Sequence, residues 1–280
     1  GLPKNWNLPY TDTDNWPRVV QIAWQLHDEM GRVIEHKDYL IKPEGFDIPY
    51  DAERIHGIST ELAEKDGVPL QSILEEFNIA MSKAKFVVGQ NIGFDINVLG
   101  CEYVRFNQAT QMHDMPVLDT CTEVTANLCK LPGGRGGRFK LPTLTELHSF
   151  LFGEPFGEAH NATADVEATT RCFFELIRTE VFTEEQLQQG GSYIHDFKAF
   201  NPAPIGFIGL KHLNLKEESE KLKVKESAST ISTEEQNKNI QRLNNVQFAH
   251  LHNHTQFTVL QSTIKIPALV KKAAELKMPA

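Results

Sequence analysis

Phe86-Val-Val-Gly-Gln-Asn-Ile-Gly-Phe-Asp95 is the stretch on which the fold turns. Phe86 to Val88 is a short β-rich apolar run of the length of a buried strand, and a helix is predicted from Phe94 to Phe106. A strand that runs through a tight Gly-Gln-Asn turn into a helix is a unit of α/β architecture, and it sets Asp95 at the helix start beyond the strand end, where open α/β sheets commonly carry their sites. Asn91 and Asp95 are also the residue types that cap helix starts for local reasons, so a cap is the alternative reading of each.

Upstream, Val19 to Leu26 and Val33 to Ile41 are β-rich runs separated by Asp28-Glu-Met-Gly-Arg32, the pattern of a hairpin. Leu70, Ile73, Leu74, Phe77 and Met81 then recur at helical spacing. Downstream, Pro116 to Asp119 is predicted as a strand end, Thr120 to Cys129 and Leu144 to Phe152 as helices, the second stopped by Gly153, and about Ala164 to Arg178 as the last strong helix. Strands first, then strands alternating with helices, predict an α/β domain with a mixed central sheet and helices on both faces.

The 280 residues suffice for one full domain and part of a second, at 40% hydrophobic and 23% charged composition. No apolar run reaches the length of a membrane span. Cys101, Cys121, Cys129 and Cys172 lack C-x-x-C spacing, which argues for reduced thiols and a cytoplasmic setting. A net charge of -9 disfavours a broad non-specific grip on a polyanion but leaves room for an enzyme that holds one strand end. From about Gly190 the character shifts, and Lys211 to Asn239 is rich in Lys, Glu, Ser and Thr with too few apolar residues for a core. The expected organisation is a domain over 1–185, a partly disordered linker over 186–245, and the beginning of another domain over 246–280.

A second segment, Ala159-His-Asn-Ala-Thr-Ala-Asp165, matches the first in kind. Taken singly, His160 and Asp165 read as a loop histidine and a first-turn acid favoured by the helix dipole. Taken in order with Asn91 to Asp95, they resemble the second and third motifs of the DEDDh family of 3'-5' exonucleases, and Ile55-His-Gly-Ile-Ser59 is similar to a run found in proofreading members. The resemblance covers Gly1 to about Phe182 and implies a ribonuclease H-like exonuclease fold. It implies that Asp95 and Asp165 bind Mg2+ or Mn2+, that His160 is the general base, and that Asn91 and Phe94 shape the pocket for the terminal nucleotide. His56 and Ile58 are substrate-lining on the same grounds, with packing of a turn beside the sheet as the alternative.

The family's first motif reads Asp-x-Glu-Thr-Thr-Gly, and Gly1-Leu-Pro3 matches only its last residue and the two after it. Asp12 and Asp14 lie in a polar loop and are poor substitutes. Truncation of a longer enzyme is the expectation. Two carboxylates hold two metal ions poorly, so the 280-residue chain alone is expected to be nearly inactive on single-stranded DNA and a version extended by that motif active.

Leu131-Pro-Gly-Gly-Arg-Gly-Gly-Arg-Phe-Lys140 lacks the G-K-[ST] of a phosphate-binding loop. Arg135, Arg138 and Lys140 are candidates to contact phosphates of a single strand, with Phe139 free to stack on a base; a plain surface loop is the alternative. Far downstream, His250-Leu-His-Asn-His254 follows a strand-like Val246 to Ala249, and histidines two apart on a strand share a face, as one metal requires. With the helix-like Ile266 to Met278 behind it, Phe248 to Ala280 resembles the opening of the PHP domain of bacterial DNA polymerase III alpha subunits. That resemblance implies His252 and His254 as a metal pair, with Zn2+ or another divalent ion in a complete PHP domain.

Together the resemblances imply the amino-terminal part of a replicative polymerase that proofreads, with DNA, a sliding clamp and other replisome subunits as partners and no membrane. Two other readings stand beside it: an RNA-directed member of the same family, of ribonuclease T or oligoribonuclease type, and a non-catalytic module that binds DNA or docks subunits.

Overall fold

The computed structural model describes residues 2–157, 161–210 and 214–229, with side chains in the last helix up to 223. His160, His252, His254 and the segment resembling a PHP domain lie outside the described residues.

The hairpin forms as its alternation predicts. Strand β1 (Gln21–His27) pairs antiparallel with β2 (Val33–Leu40), in a register from Gln21 opposite Leu40 to a shift at Leu26/His27. Period-two alternation gives β1 two different faces. Ile22 and Trp24 point into a core with Leu70, Ile73, Leu74 and Cys101, while Gln25 and His27 meet the opposite layer through Thr170 and Phe174.

Beyond β2, two short helices follow, α1 (Tyr50–His56) and α2 (Thr60–Asp66). Neither was predicted from periodicity. Gly57 ends α1 in the left-handed region at φ 76°, a conformation open to glycine, and the Ser59 hydroxyl caps α2 by accepting from Leu62 N at 3.2 Å. Helix α3 (Leu70–Met81) matches its predicted span and buries Leu70, Ile73 and Leu74 against the hairpin. Each such aliphatic side chain contributes about 1.5–3 kcal/mol by leaving water.

Strand β3 (Val87–Gly89) leads into α4 (Ile92–Arg105), a 3-10 turn covers Met112–Asp114, and β4 (Val117–Asp119) pairs parallel with β3. Helix α5 (Glu123–Cys129) starts at a Thr122/Thr125 capping box. Helix α6 (Leu144–Phe152) starts at a Thr143/Glu146 box and stops at Gly153 with φ 80°. Helix α7 (Ala162–Arg178) is the longest described element up to residue 222 and buries Cys172, Phe173, Leu176 and Ile177.

Two points differ from expectation. The single mixed sheet is replaced, among the described residues, by two two-stranded sheets, β1–β2 and β3–β4. No further described strand joins them; α7 contacts both and links them by packing, its Phe173 edge-on to Phe86 beside β3. Helices do flank β1 on both faces, with α3 on one and α7 on the other.

The other difference concerns the stretch expected to be linker from 186. It contains α8 (Tyr193–Phe200), whose Phe197 is fully buried and stacks on Phe174. Helix α9 (Leu215–Ser229) begins by placing Leu215 among Ile48, Ala52, Ile58 and Leu62, and its Ser219 hydroxyl donates to Gly57 O at 2.7 Å and accepts from Ser59 N at 3.1 Å. A few apolar side chains in a polar stretch are enough when each meets a preformed surface. Residues 1–222 form one compact unit and 223–280 another.

Candidate active site

Asp95 owes its position to a turn that its own side chain does not hold. Asn91 occupies the helix N-cap in the left-handed region (φ 57°, ψ 41°) but makes no side-chain cap bond. The cap comes from Asp119, at the end of the neighbouring parallel strand. Its Oδ1 accepts from Asn91 N at 2.8 Å and from Cys121 N at 2.7 Å, and its Oδ2 accepts from Ile92 N at 3.2 Å. The capping alternative for Asn91 is thereby corrected: Asp119 satisfies the donors instead. The Asn91 side chain is left for other work, while the Asp95 carboxylate accepts from its own backbone N–H.

Asp95 is open to solvent yet has protein packed densely around it. That surrounding is the main cause that pushes its pKa up to about 7; a hydrogen bond from its own backbone N–H opposes the rise, and the charges of Asp165 and Asp119 add to it. The same effect shows that Asp95 and Asp165, 70 residues apart in sequence, lie in one electrostatic neighbourhood.

Asp165 is brought there by a separate brace. Asn161 caps α7 by accepting from Thr163 N at 3.0 Å, and Asp165 N donates to Asn161 O at 2.9 Å. The hairpin anchors this first turn: Ala162 N donates to Gln21 Oε1 at 3.1 Å, Gln21 Nε2 to Asp38 Oδ1 at 3.0 Å, and the buried Thr163 hydroxyl to Asp38 Oδ2. His160 immediately precedes this anchored turn in sequence.

Gln21, Asp38 and Asp119 are the positioning residues that the sequence reading missed. A signal existed for Asp119, which ends the strand parallel to β3 at the same sheet edge. Asp119→Ala is expected to lower stability by about 1–3 kcal/mol, because three backbone donors lose their acceptor. Urea denaturation measures this; a change below a few tenths would show that water replaces the carboxylate at no cost.

The remaining candidates divide. Phe94 packs against the first core and against Trp6, so its ring lines the start of α4. Ile58 is fully buried among Ala52, Leu62 and Leu215, which corrects its reading as substrate-lining: the packing alternative holds. His56 closes the turn after α1 by accepting from Ile58 N at 3.1 Å. In the glycine-rich loop, Arg138 pairs with Glu123 and Lys140 with Glu146 at 2.6 Å, while Arg135 and Phe139 are exposed. The loop's far end is tied beside the site, since Gln90 Nε2 donates to Pro142 O at 2.7 Å.

Aspartate carboxylates are hard oxygen donors suited to Mg2+ or Mn2+, and a divalent ion would favour the ionised form of Asp95 that its surroundings penalise. Asp95 and Asp165 fit as part of such a donor set, and Asp119 has its oxygens engaged by backbone. No group of three or more His, Cys, Asp or Glu side chains placed to hold a metal occurs among the described residues.

The RNase_T family, described as exonuclease, matches residues 17–173, which span the hairpin, the Asp95 turn and most of α7. The chain belongs to this exonuclease family. No curated relative matches it in sequence. Among solved structures, it is similar to exonuclease I in the structure that suggests how processivity is achieved, at 22% identity and a TM-score of 0.47 over 60% of this chain and 41% of that one. The zinc-ion-bound complex of E. coli exonuclease I with single-stranded DNA gives 23% identity and 0.48, over 60% and 38%. E. coli exonuclease I with a dA16 oligonucleotide gives 20% and 0.49, over 64% and 43%. The chain thus spans about two-fifths of the length of the solved chains it resembles. Among the described residues, no helix of this exonuclease-family chain is long and apolar enough to cross a membrane.

Proposed function

We propose that this exonuclease-family chain carries a 3'-5' exonuclease centre of the DEDDh type that removes nucleoside monophosphates from the 3' end of single-stranded DNA. What supports the reading is that the charge of Asp165 reaches Asp95, while the turns that carry the two carboxylates are braced by different residues. Magnesium or manganese held in part by these carboxylates would activate the attacking water and stabilise the leaving oxygen. His160, one residue ahead of the α7 cap, takes the proton from that water as its oxygen bonds to phosphorus and the P–O3' bond breaks. Asn91, held in the left-handed turn, and Phe94, on the first turn of α4, bound the terminal nucleotide. Arg135 supplies a cation to the phosphate backbone, joined by Arg138 and Lys140 when their exposed ion pairs, worth little individually, exchange partners.

The wider setting we propose is the amino-terminal part of a replicative DNA polymerase III alpha subunit that proofreads. It rests on the resemblance of Phe248 to Ala280 to the opening of a PHP domain, with His252 and His254 as metal ligands. The clamp and other replisome subunits are its partners in that reading.

The test uses the whole protein with magnesium on 5'-labelled single strands of DNA and of RNA. His160→Ala is expected to slow release of 3'-terminal nucleotides by about 10²-fold or more, and the parent rate to rise with pH as the imidazole loses its proton. A His160→Ala protein with the parent rate would remove that assignment. Preference for the RNA strand would move the reading to the RNA-directed branch, and cleavage of neither to the docking module.

A further inference from the structure

Trp6 is the feature near the site that the mechanism above leaves unused. It is 56% exposed, whereas the other two tryptophans, Trp16 and Trp24, are 4% and 7% exposed. An exposed indole on a loose loop would mean little, but this loop is locked. Lys4 N donates to Asn15 O at 3.1 Å, Asn5 N to Asn15 Oδ1 at 2.8 Å, and Asn15 Nδ2 back to Asn5 O at 2.9 Å, with Asn15 itself buried. Trp16, the next residue, donates its indole N–H to Pro9 O at 3.0 Å.

The ring is also seated. Trp6 stands edge-on to Trp16 at 6.3 Å between centroids and meets Phe94 at 5.7 Å. The aromatic array Trp16, Trp6, Phe94 ends on the first turn of α4, one residue ahead of Asp95, and leaves one large π surface in water. The chain holds this ring in a fixed position without burying it.

We propose that Trp6 is a stacking platform for a nucleobase of the single-stranded substrate, a substrate-positioning residue at the mouth of the site. The proposal rests on the exonuclease reading above. Every base has a π face, so the contact is tolerant of sequence, and it orders the strand before the terminal nucleotide reaches Phe94. The same segment carries Asp12 and Asp14, so the contribution of Trp6 comes from stacking and not from charge. Its loss therefore changes affinity without changing the salt dependence, unlike loss of a phosphate contact.

The experiment is acrylamide quenching of tryptophan emission in the full chain, with EDTA present to prevent hydrolysis, titrated with oligothymidylate or with oligouridylate. With Trp16 and Trp24 buried, the quencher reports Trp6. Bound oligonucleotide is expected to shield it, and Trp6→Ala to weaken binding by about 10-fold at every salt concentration. Trp6→Phe should retain most of the affinity, whereas Trp6→Leu, equally apolar but without a π face, should not. Shielding by one polymer only assigns the platform to DNA or to RNA. Undiminished binding by Trp6→Ala and Trp6→Leu, with quenching unaltered by oligonucleotide, overturns the platform and leaves the exonuclease reading standing. Failure of the parent chain to bind either polymer overturns the platform, while the nuclease assay on the whole protein decides the reading beneath it.

Discussion

Asp95→Asn is expected to abolish hydrolysis by the whole protein and, in the absence of metal, to make the 280-residue chain more stable at pH 8. The activity loss should be roughly 10³-fold or more, the scale on which transition-state charge stabilisation acts. The gain in stability follows from the raised pKa. An aspartate moves from an ordinary 3.8 to about 7 in the fold, so the folded chain holds this proton more tightly than the unfolded one. Stability from Asp95 is therefore fully present below about pH 4 and is lost as pH rises through 7. Above that, the folded protein carries an ionised carboxylate in crowded surroundings under the charges of Asp165 and Asp119. Because Asp95 is open to solvent, the gain from asparagine is discounted to about 1–2 kcal/mol. Thermal denaturation in EDTA at pH 5 and pH 8 measures it: the variant should exceed the parent at pH 8 by more than at pH 5. Equal differences at both pH values would mean that the carboxylate is not strained in the fold.

The largest effect on folding is expected from Glu102, far from the chemistry. Its side chain is fully buried in α4 and accepts from Arg18 Nε at 2.9 and 3.2 Å and from Val19 N at 3.0 Å, with Arg105 Nη1 at 3.1 Å. Arg105 in turn donates to Thr13 O and Trp16 O, and Arg18 lies over the Phe46 ring. One carboxylate thus ties the approach to β1 onto α4. Glu102→Ala strands two guanidinium groups that are mostly out of water, and should cost about 3–5 kcal/mol. The denaturant midpoint reads this directly. A loss under about 1 kcal/mol would mean that both arginines find solvent at little cost.

Local signals with their own periodicity or cap were legible in the sequence. The β1–β2 hairpin, α3, α6 with its Gly153 stop and α7 all follow from alternation, helical spacing or capping residues. The pairing of Asp95 with Asp165 was legible only through the family resemblance, because nothing local connects residues so far apart. What escaped depends on tertiary contact. The seven-residue helices α1 and α2 are too short to announce themselves, and they persist because Ala52, Ile58, Leu62 and Leu215 share one cluster. Helix α8 rests on a single fully buried aromatic, Phe197, in a polar context. Ile58, read as substrate-lining, and its neighbour Ser59 receive α9 through Leu215 and Ser219. The Asp119 cap belongs to the same class, since a carboxylate that serves a helix 27 or 28 residues earlier leaves no local pattern.

Asp95 and Asp165 are proposed to act together at one metal-dependent exonuclease centre. A 5'-labelled single-stranded DNA, incubated with the whole protein and magnesium and resolved over time, tests it most directly. The expected result is a ladder shortening stepwise from the 3' end with release of nucleoside monophosphates, absent in EDTA and absent in both Asp95→Asn and Asp165→Asn. The same ladder from either variant, or cuts inside the strand that do not need a free 3' end, would contradict it.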